Sequence, residues 1–148
     1  MKYIKDEKLL EKFKKDQHIQ IFDDDKLITD LKIKDGKIDC EKFSNNTSRQ
    51  LFSYEPIDFE YLYIIFESRI FENNKNAGDW LKFYNLEKYD VYKIFRITHG
   101  VTLNDKIWFK FNEEINDKKL NREYFLHKYV TPDAVEFERK VGNINVWV

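Results

Sequence analysis

The sequence contains few of the residues that mark specialised chemistry. Cys40 is its single cysteine, which excludes an internal disulfide and any zinc site built from several cysteines. The four glycines stand far apart, so the chain has no glycine-rich phosphate loop. No apolar run approaches ~18 residues, and the N-terminus lacks the apolar region of a signal peptide. We therefore expect a cytoplasmic protein that does not enter the membrane.

The charges nearly cancel, with 26 Lys and Arg against 27 Asp and Glu. A net charge of −1 gives no overall field that attracts a phosphate backbone, so a nucleic-acid function would require cations that cluster locally. Aromatic residues make up 17% of the chain, which supplies enough apolar surface for a core and excludes a disordered chain. The length of 148 residues predicts one domain, residues 1–148.

The first third of the chain predicts a helix followed by an antiparallel β-meander. Apolar residues within 4–13 recur at helical spacing, and those at 19–22, 27–33 and 38–40 alternate as in strands. The dipeptide Asp35-Gly36 between alternating residues is typical of a two-residue hairpin turn. In that register Ile33 faces Ile38, and Leu31 faces Cys40.

The rest of the chain predicts short helices and further strands. Helices are indicated at 58–71, near Trp80, and from an N-cap at Asp90 to a stop at Gly100. A strand follows at 107–111, then a helix capped by Asn116-Asp117 that runs through Tyr129. Alternation at 135–141 and 144–148 around residues 142–143 predicts a C-terminal hairpin. The predicted class is α+β, with an N-terminal meander, a central cluster of short helices, and a C-terminal strand, helix and β-hairpin.

His99, at the end of a predicted helix, has two interpretations. With Asp105 it can form a base–orienter pair of the kind used in acid–base catalysis. Alternatively it caps the free carbonyls of the helix end while Asn104-Asp105 shapes a turn. No nucleophile signature accompanies the pair, which favours the capping interpretation. We assign no catalytic residue.

Two acidic clusters raise the question of a metal site. Asp23, Asp24 and Asp25 lie between two predicted strands, and Glu113 and Glu114 follow another. The pattern lacks the glycine and distal glutamate of a calcium-binding EF-hand loop, so solvated turns are one interpretation. A metal-dependent hydrolase is the other, and it requires the two clusters to converge in space. We assign no metal ligand and no cofactor.

Trp108 and Trp147 each lie on the face of a predicted strand opposite its aliphatic residues. Such a tryptophan is either covered by a helix or presented to a partner as an interface anchor. A small basic cluster, Lys12 to Lys15 around Phe13, can contact nucleic acid together with surface aromatics. The neighbouring acids at 6, 7, 11 and 16 favour a solvated helix face instead.

Two segments resemble one family. The block at 98–111 reads THG-x(3)-ND-x(2)-W-F-K-F, and residues 66–71 read F-E-S-R-I-F. Both patterns resemble those of small proteins from phages and conjugative elements of low-GC bacteria, over about residues 18 to 114. A related string also occurs near HipA-like kinases, although this chain has no kinase motifs. The resemblance implies a mobile-element setting, in which compact proteins often bind a host defence or regulatory component, as anti-CRISPR proteins do.

These observations lead to three functional hypotheses. The first is a non-enzymatic inhibitor that binds a host protein. Its expected binding residues are Trp108, Trp147, Asp23, Asp24, Asp25, Glu113 and Glu114. The alternatives are a small nucleic-acid-binding regulator that uses Lys12–Lys15, and a metal-dependent hydrolase that uses the acidic clusters.

Overall fold

The computed structural model describes residues 7–43, 57–70 and 77–142. The elements, in chain order, are α1 (Glu7–Lys14), β1 (Gln17–Asp23), β2 (Lys26–Lys34), β3 (Lys37–Lys42), α2 (Phe59–Ser68), α3 (Ala77–Phe83), α4 (Val91–Thr98), β4 (Ile107–Phe111), a 3₁₀ turn (Asn112–Glu114), α5 (Arg122–Phe125) with a π-helical turn (Leu126–Val130), and α6 (Ala134–Val141). Within these ranges every helix is too short or too polar to cross a bilayer. The predicted α+β class is confirmed.

The strands form one antiparallel sheet in the order β3-β2-β1-β4. The predicted meander is confirmed, as is its register, because Ile33 pairs with Ile38 and Leu31 with Cys40. Asp35 and Gly36 both have positive φ, +52° and +74°, as a two-residue hairpin turn of this hand requires. The β4 strand adds to the free edge of β1, which the sequence pattern alone did not indicate.

The main core lies between one face of the sheet and the helices α1, α2 and α4. One aromatic side chain from each helix, Phe13, Phe66 and Phe95, is fully buried against the β1, β2 and β4 side chains. Phe66 and Phe95 stack with their ring centroids 3.7 Å apart. Burying a side chain of this size contributes about 1.5–3 kcal/mol, so this aromatic cluster holds α2 and α4 on the sheet.

Two predicted helix starts are confirmed by their caps. The Asp58 carboxylate accepts the Tyr61 N–H at 2.8 Å, and the Asp90 carboxylate accepts the Lys93 N–H at 3.0 Å. Each bond satisfies one backbone donor that the first helical turn leaves unpaired.

The C-terminal hairpin prediction is wrong over the part that the structure describes, because residues 134–141 form α6. The Asp133 carboxylate accepts the Val135 N–H at 2.8 Å and so begins a helix. Phe137 then packs against Trp80 and Phe83 of α3, with centroids 4.7 and 5.2 Å apart. The remaining residues of the predicted hairpin, 143–148 with Trp147, lie outside the described residues.

The predicted helix at 116–129 begins later than expected. Asn121 is its N-cap, and the Asn121 side chain accepts the Tyr124 N–H at 2.9 Å. Asp117 instead belongs to a turn, in which its carboxylate accepts the Lys119 N–H and its carbonyl accepts the Lys110 ammonium. These bonds hold the chain out of helical geometry until residue 121.

Candidate functional site

The chain turns sharply after α4 at His99 and Gly100, which are both buried, and we call these two residues the corner. His99 ends the helix in the left-handed conformation, φ +56°, and its N–H donates to the Phe95 carbonyl at 2.8 Å. Gly100 follows at φ +67°, so two successive left-handed residues reverse the chain. The His99 carbonyl then accepts the Phe109 N–H at 2.9 Å, which ties the corner to β4. The capping interpretation of His99 is confirmed, and no His99–Asp105 pair forms.

Asp105 pairs with Arg69 instead. Both guanidinium Nη atoms donate to the Asp105 carboxylate, at 2.9 and 2.6 Å. The same guanidinium donates to the Gly100 carbonyl at 2.9 Å and to the Ile107 carbonyl at 3.2 Å. Arg69 is 8% exposed, so its guanidinium group joins the F-E-S-R segment to the T-H-G segment inside the protein. The two segments that carry the resemblance therefore form one structural unit.

His99 contacts Glu114 across the same corner. Its Nε2 donates to the Glu114 carboxylate at 2.7 Å, and its Nδ1 lies 3.2 Å from the Ile97 carbonyl oxygen. The imidazole also stacks on Phe125, with centroids 3.7 Å apart. The second Glu114 oxygen accepts the Phe111 N–H. Both Glu114 oxygens are thus engaged in holding the corner, and the pair has no nucleophile beside it.

Glu114 makes the corner sensitive to acid. Burial raises the pKa of its carboxyl, but the hydrogen bond from His99, the His99 charge and the Phe111 N–H together outweigh burial. The pKa of Glu114 therefore lies below its ordinary value of 4.5. A lowered folded-state pKa stabilises the protein above about pH 4.5, and this contribution disappears as the pH falls through the folded-state value.

We expect Glu114→Gln to lower the free energy of unfolding by about 1–3 kcal/mol at pH 7 and to flatten its fall below pH 4.5, because the amide cannot titrate. Urea unfolding from pH 3 to 7 measures both effects. Glu113→Gln changes the neighbouring exposed carboxylate and should reproduce the wild-type pH profile. An unchanged acid slope in Glu114→Gln would contradict the assignment.

Trp108 is not a surface anchor. It is 2% exposed, it stacks on Phe22 at 5.0 Å, and Phe125 covers it at 6.0 Å. Its indole N–H donates to the Asp24 carbonyl. The interpretation of Trp108 as a residue presented to a partner is therefore corrected: α5 and its π-helical turn cover this face of the sheet.

The two acidic clusters do not converge. Asp23 pairs with Ile107 at the beginning of β4, whereas Glu113 and Glu114 follow Phe111 at its other end. Ile107 and Phe111 are four positions apart along the strand, which is about 14 Å at ~3.4 Å per residue. Asp24 has φ +57° in the β1–β2 turn, and Glu114 is paired with His99. Among the residues in the described ranges, no three potential metal-ligating side chains come together.

The structure instead brings basic residues together in two adjoining grooves between α1 and α4. The first has a volume of about 360 Å³ and is lined by Lys12, Lys15, Asp16, Gln17, Tyr92, Lys93, Arg96 and Asn112. The second has a volume of about 270 Å³ and is lined by Lys8, Leu9, Lys12, Tyr63, Lys88, Tyr89, Asp90, Val91 and Lys93. Lys12 and Lys93 line both grooves, so the two adjoin at these residues. We call them together the double groove.

Cations outnumber acids in the double groove by six to two, since the acids of the two linings are Asp16 and Asp90. Both acids already accept hydrogen bonds within the fold. Lys12 Nζ lies 2.5 Å from the Asp90 carboxylate, and Asp16 accepts the Asp35 N–H at 3.0 Å. Burial raises the pKa of Asp90, but the bonds from Lys12 and the Lys93 N–H bring it below its ordinary value. The Lys12–Asp90 pair leaves five other cations against Asp16, so a chain with a net charge of −1 carries a local excess of positive charge here.

The fold aligns these cations by simple helical spacing. Lys8, Lys12 and Lys15 recur at intervals of four and three along α1 and its end, which places them on one helix face. Of the four acids that we expected to neutralise this cluster, Glu7 and Glu11 line neither groove, Asp16 lines the first groove, and Asp6 lies outside the described residues.

Gln17 joins α1 to α4 at the floor of the first groove. Its amide Nε2 donates to the Lys12, Phe13 and Lys15 carbonyls at 3.1–3.3 Å, and its Oε1 accepts the Tyr92 hydroxyl at 2.8 Å. Arg96 lies with its guanidinium 4.5 Å from the Phe111 ring centroid. Stacking on an aromatic ring holds a guanidinium in place while leaving its N–H groups able to donate.

The aromatic residues of the double groove are tyrosines. Phe13, which the sequence placed beside the basic cluster, is fully buried in the core. Tyr63, Tyr89 and Tyr92 line the grooves instead, and Tyr89 is 48% exposed. Sequence reasoning missed Lys88, Lys93 and Arg96, because they come together with α1 only in the fold. The helical spacing of lysines at 8, 12 and 15 is the one sequence feature that could have indicated this surface.

No protein-family model, curated protein or solved structure matches this chain. The resemblance to small proteins of mobile elements therefore stays a prediction, and the functional argument rests on geometry.

Proposed function

We propose that this protein binds nucleic acid through the double groove. The observation that carries the proposal is the meeting of six cationic side chains from residues 8–15 and 88–96 with only two acids, one of which, Asp90, is paired with Lys12. Lysine and arginine side chains on phosphate oxygens supply most of the affinity of sequence-independent nucleic-acid binding. This function is the regulator hypothesis, with its surface extended from Lys12–Lys15 to both grooves.

The shape of the surface supports an elongated anion over a small one. The two grooves share Lys12 and Lys93, so their cations are distributed over two adjoining grooves and do not all line one. Each groove combines tyrosine with four cations, one tyrosine in the first groove and two in the second. Such a combination is typical of surfaces that bind a phosphate backbone and its bases together. A compact phosphate ligand would engage only one of the two grooves.

We expect Lys15→Ala/Lys93→Ala to weaken binding of a labelled oligonucleotide roughly ten- to a hundredfold at about 50 mM salt. The plot of log K against log salt should become shallower by about 1.4, which is ~0.7 for each lost phosphate contact with a single strand. Fluorescence anisotropy across a salt series measures both quantities. Both lysines are exposed, so the substitutions should leave the unfolding midpoint unchanged.

The matched control is Lys119→Ala/Lys140→Ala, which removes the same charge from exposed positions that line neither groove. This variant should keep the wild-type salt dependence apart from a small general effect of net charge. Equal losses in the two double variants would contradict a localised binding surface. Absence of oligonucleotide binding by the wild-type protein at low salt would end the proposal.

The expected inhibitor of a host protein stays a prediction. Of its named residues, Trp108 is buried, Glu114 is paired with His99 and Trp147 lies outside the described residues. Asp24 and Asp25 are exposed in the β1–β2 turn. A pull-down with candidate host defence proteins, repeated with both aspartates changed to asparagine, tests that prediction directly.

A further inference from the structure

The two halves of the double groove differ in chemistry. The first groove is lined by charged and amide side chains, and the hydroxyl of its tyrosine, Tyr92, is hydrogen-bonded to Gln17. The second adds the apolar side chains of Leu9 and Val91 and two tyrosines, Tyr63 and Tyr89. The first groove therefore offers donors for phosphate, whereas the second also offers ring surface.

Tyr89 is the prominent ring of the second groove. Its side chain is 48% exposed, and it lies between Lys88 and Asp90, just before the first residue of α4. Tyr63 is more deeply placed, with its ring packed edge-on against Phe13 at 5.9 Å and its hydroxyl donating to Glu67 at 2.9 Å. Tyr63 is thus held on two sides, and Tyr89 is the more exposed of the two rings that line this groove.

Both phenols are neutral at pH 7, because their pKa values lie above the ordinary tyrosine value of 10.0. Burial and then the nearby Glu67 charge raise the pKa of Tyr89, and burial, followed by the Glu67 hydrogen bond, raises the pKa of Tyr63 to about 12. A neutral ring adds no repulsion toward phosphate. An aromatic ring beside lysines is the arrangement in which bases stack while the backbone is neutralised.

We propose that the second groove is a base-binding subsite, in which an unpaired nucleobase stacks on Tyr89 while Lys88 and Lys93 hold the flanking phosphates. This inference rests on the proposed function and specifies its ligand as single-stranded nucleic acid. In a duplex both faces of each base are already stacked on neighbouring bases, so only a single strand can offer a base face to Tyr89. The first groove then holds the continuing backbone.

The test compares Tyr89→Ala with Tyr89→Phe, using a labelled single-stranded 12-mer, the matching duplex and heparin as probes. Tyr89→Ala should lose roughly five- to a hundredfold in affinity for the single strand, which is the range for stacking of one base, and Tyr89→Phe should retain the affinity. Neither substitution removes a charge, so the salt dependence should stay that of the wild type. Binding of duplex and heparin should be unaffected by either change.

A single-stranded oligonucleotide with abasic positions isolates the stacking contact. It should bind the wild-type protein more weakly than the intact strand and should be indifferent to Tyr89→Ala. If Tyr89→Ala binds the intact strand as well as the wild type does, the base subsite is overturned while the proposed function stands. The base subsite is also overturned if the duplex or heparin binds as tightly as the single strand. If no oligonucleotide binds at all, the proposed function itself fails.

Discussion

Replacing Arg69 with methionine should lower the free energy of unfolding by about 3 kcal/mol. Removing one partner of a buried ion pair typically costs ~3–5 kcal/mol, and the lower end applies because the Asp105 side chain is 39% exposed and can be rehydrated. The remaining cost comes from the carbonyls of Gly100 and Ile107, which lose their donor. For a domain of this size, such a loss is a large part of the total stability.

Urea unfolding at pH 7 measures this effect, and two further variants identify its source. Arg69→Lys should recover little, because a single ammonium cannot replace a planar fork that donates to one carboxylate and two carbonyls. Asp105→Asn should cost less than Arg69→Met, since the amide keeps an acceptor for Arg69 and the position is partly solvated. A loss below ~1 kcal/mol in Arg69→Met would show that Arg69 does not hold the corner.

Much of the sheet could be predicted from the sequence because local rules determine it. Alternation fixes which side chains face the core, and a two-residue Asp35-Gly36 turn fixes the register of β2 and β3. The caps of α2 and α4 are equally local, because each depends on an aspartate and a backbone N–H three residues later. These features required no knowledge of distant contacts.

The C-terminal segment was mispredicted because its pattern satisfies two periods. Val135, Phe137 and Val141 alternate as in a strand, yet Phe137 and Val141 also lie four residues apart on one helix face. The helix prevails in the structure with Phe137 packed against Trp80 and Phe83, more than fifty residues earlier in the chain. A single-sequence pattern does not contain that contact.

The candidate site, too, depends on contacts between distant segments that a sequence pattern does not contain. The formal charge of the chain nearly cancels, so its positive surface is visible only when Lys12 and Lys93 are placed side by side. Within α1 the interspersed Glu and Lys residues offset one another in the sequence, and only their distribution over the helix faces separates Lys8 and Lys12 from Glu11. Charge composition could not predict this surface, because its cations come from segments about eighty residues apart.

The corner and the double groove are mechanically related. The helix α4 carries Lys93 and Arg96 into the grooves and ends at the His99–Gly100 corner. Arg96 lies over Phe111 of β4, and the corner binds that strand through the His99 carbonyl and Glu114. The motif at 98–111 therefore holds in place the helix that lines the double groove, and none of its residues lines either groove.

Gly100→Ala tests how closely the corner packs against β4, and it should lower the free energy of unfolding by about 2–5 kcal/mol. A Cβ at this position would lie 2.6 Å from both Phe109 Cδ1 and Phe95 Cζ, so two core rings would have to move. Overpacking of this kind costs ~1–3 kcal/mol. The left-handed conformation, φ +67°, adds about 1–2 kcal/mol for any residue with a Cβ.

Gly36→Ala is the matched control that separates the two costs. Gly36 has a similar φ, +74°, but a Cβ there meets nothing within 4 Å, so only the conformational cost of ~1–2 kcal/mol should appear. The difference between the two variants, measured by urea unfolding, is the packing contribution at the corner. Shortening the obstructing ring with Phe109→Leu should make Gly100→Ala less damaging, with a coupling of about 1 kcal/mol or more. Equal losses at Gly36 and Gly100, with no coupling to Phe109, would show that the contact of the corner with β4 is loose enough to accept a side chain.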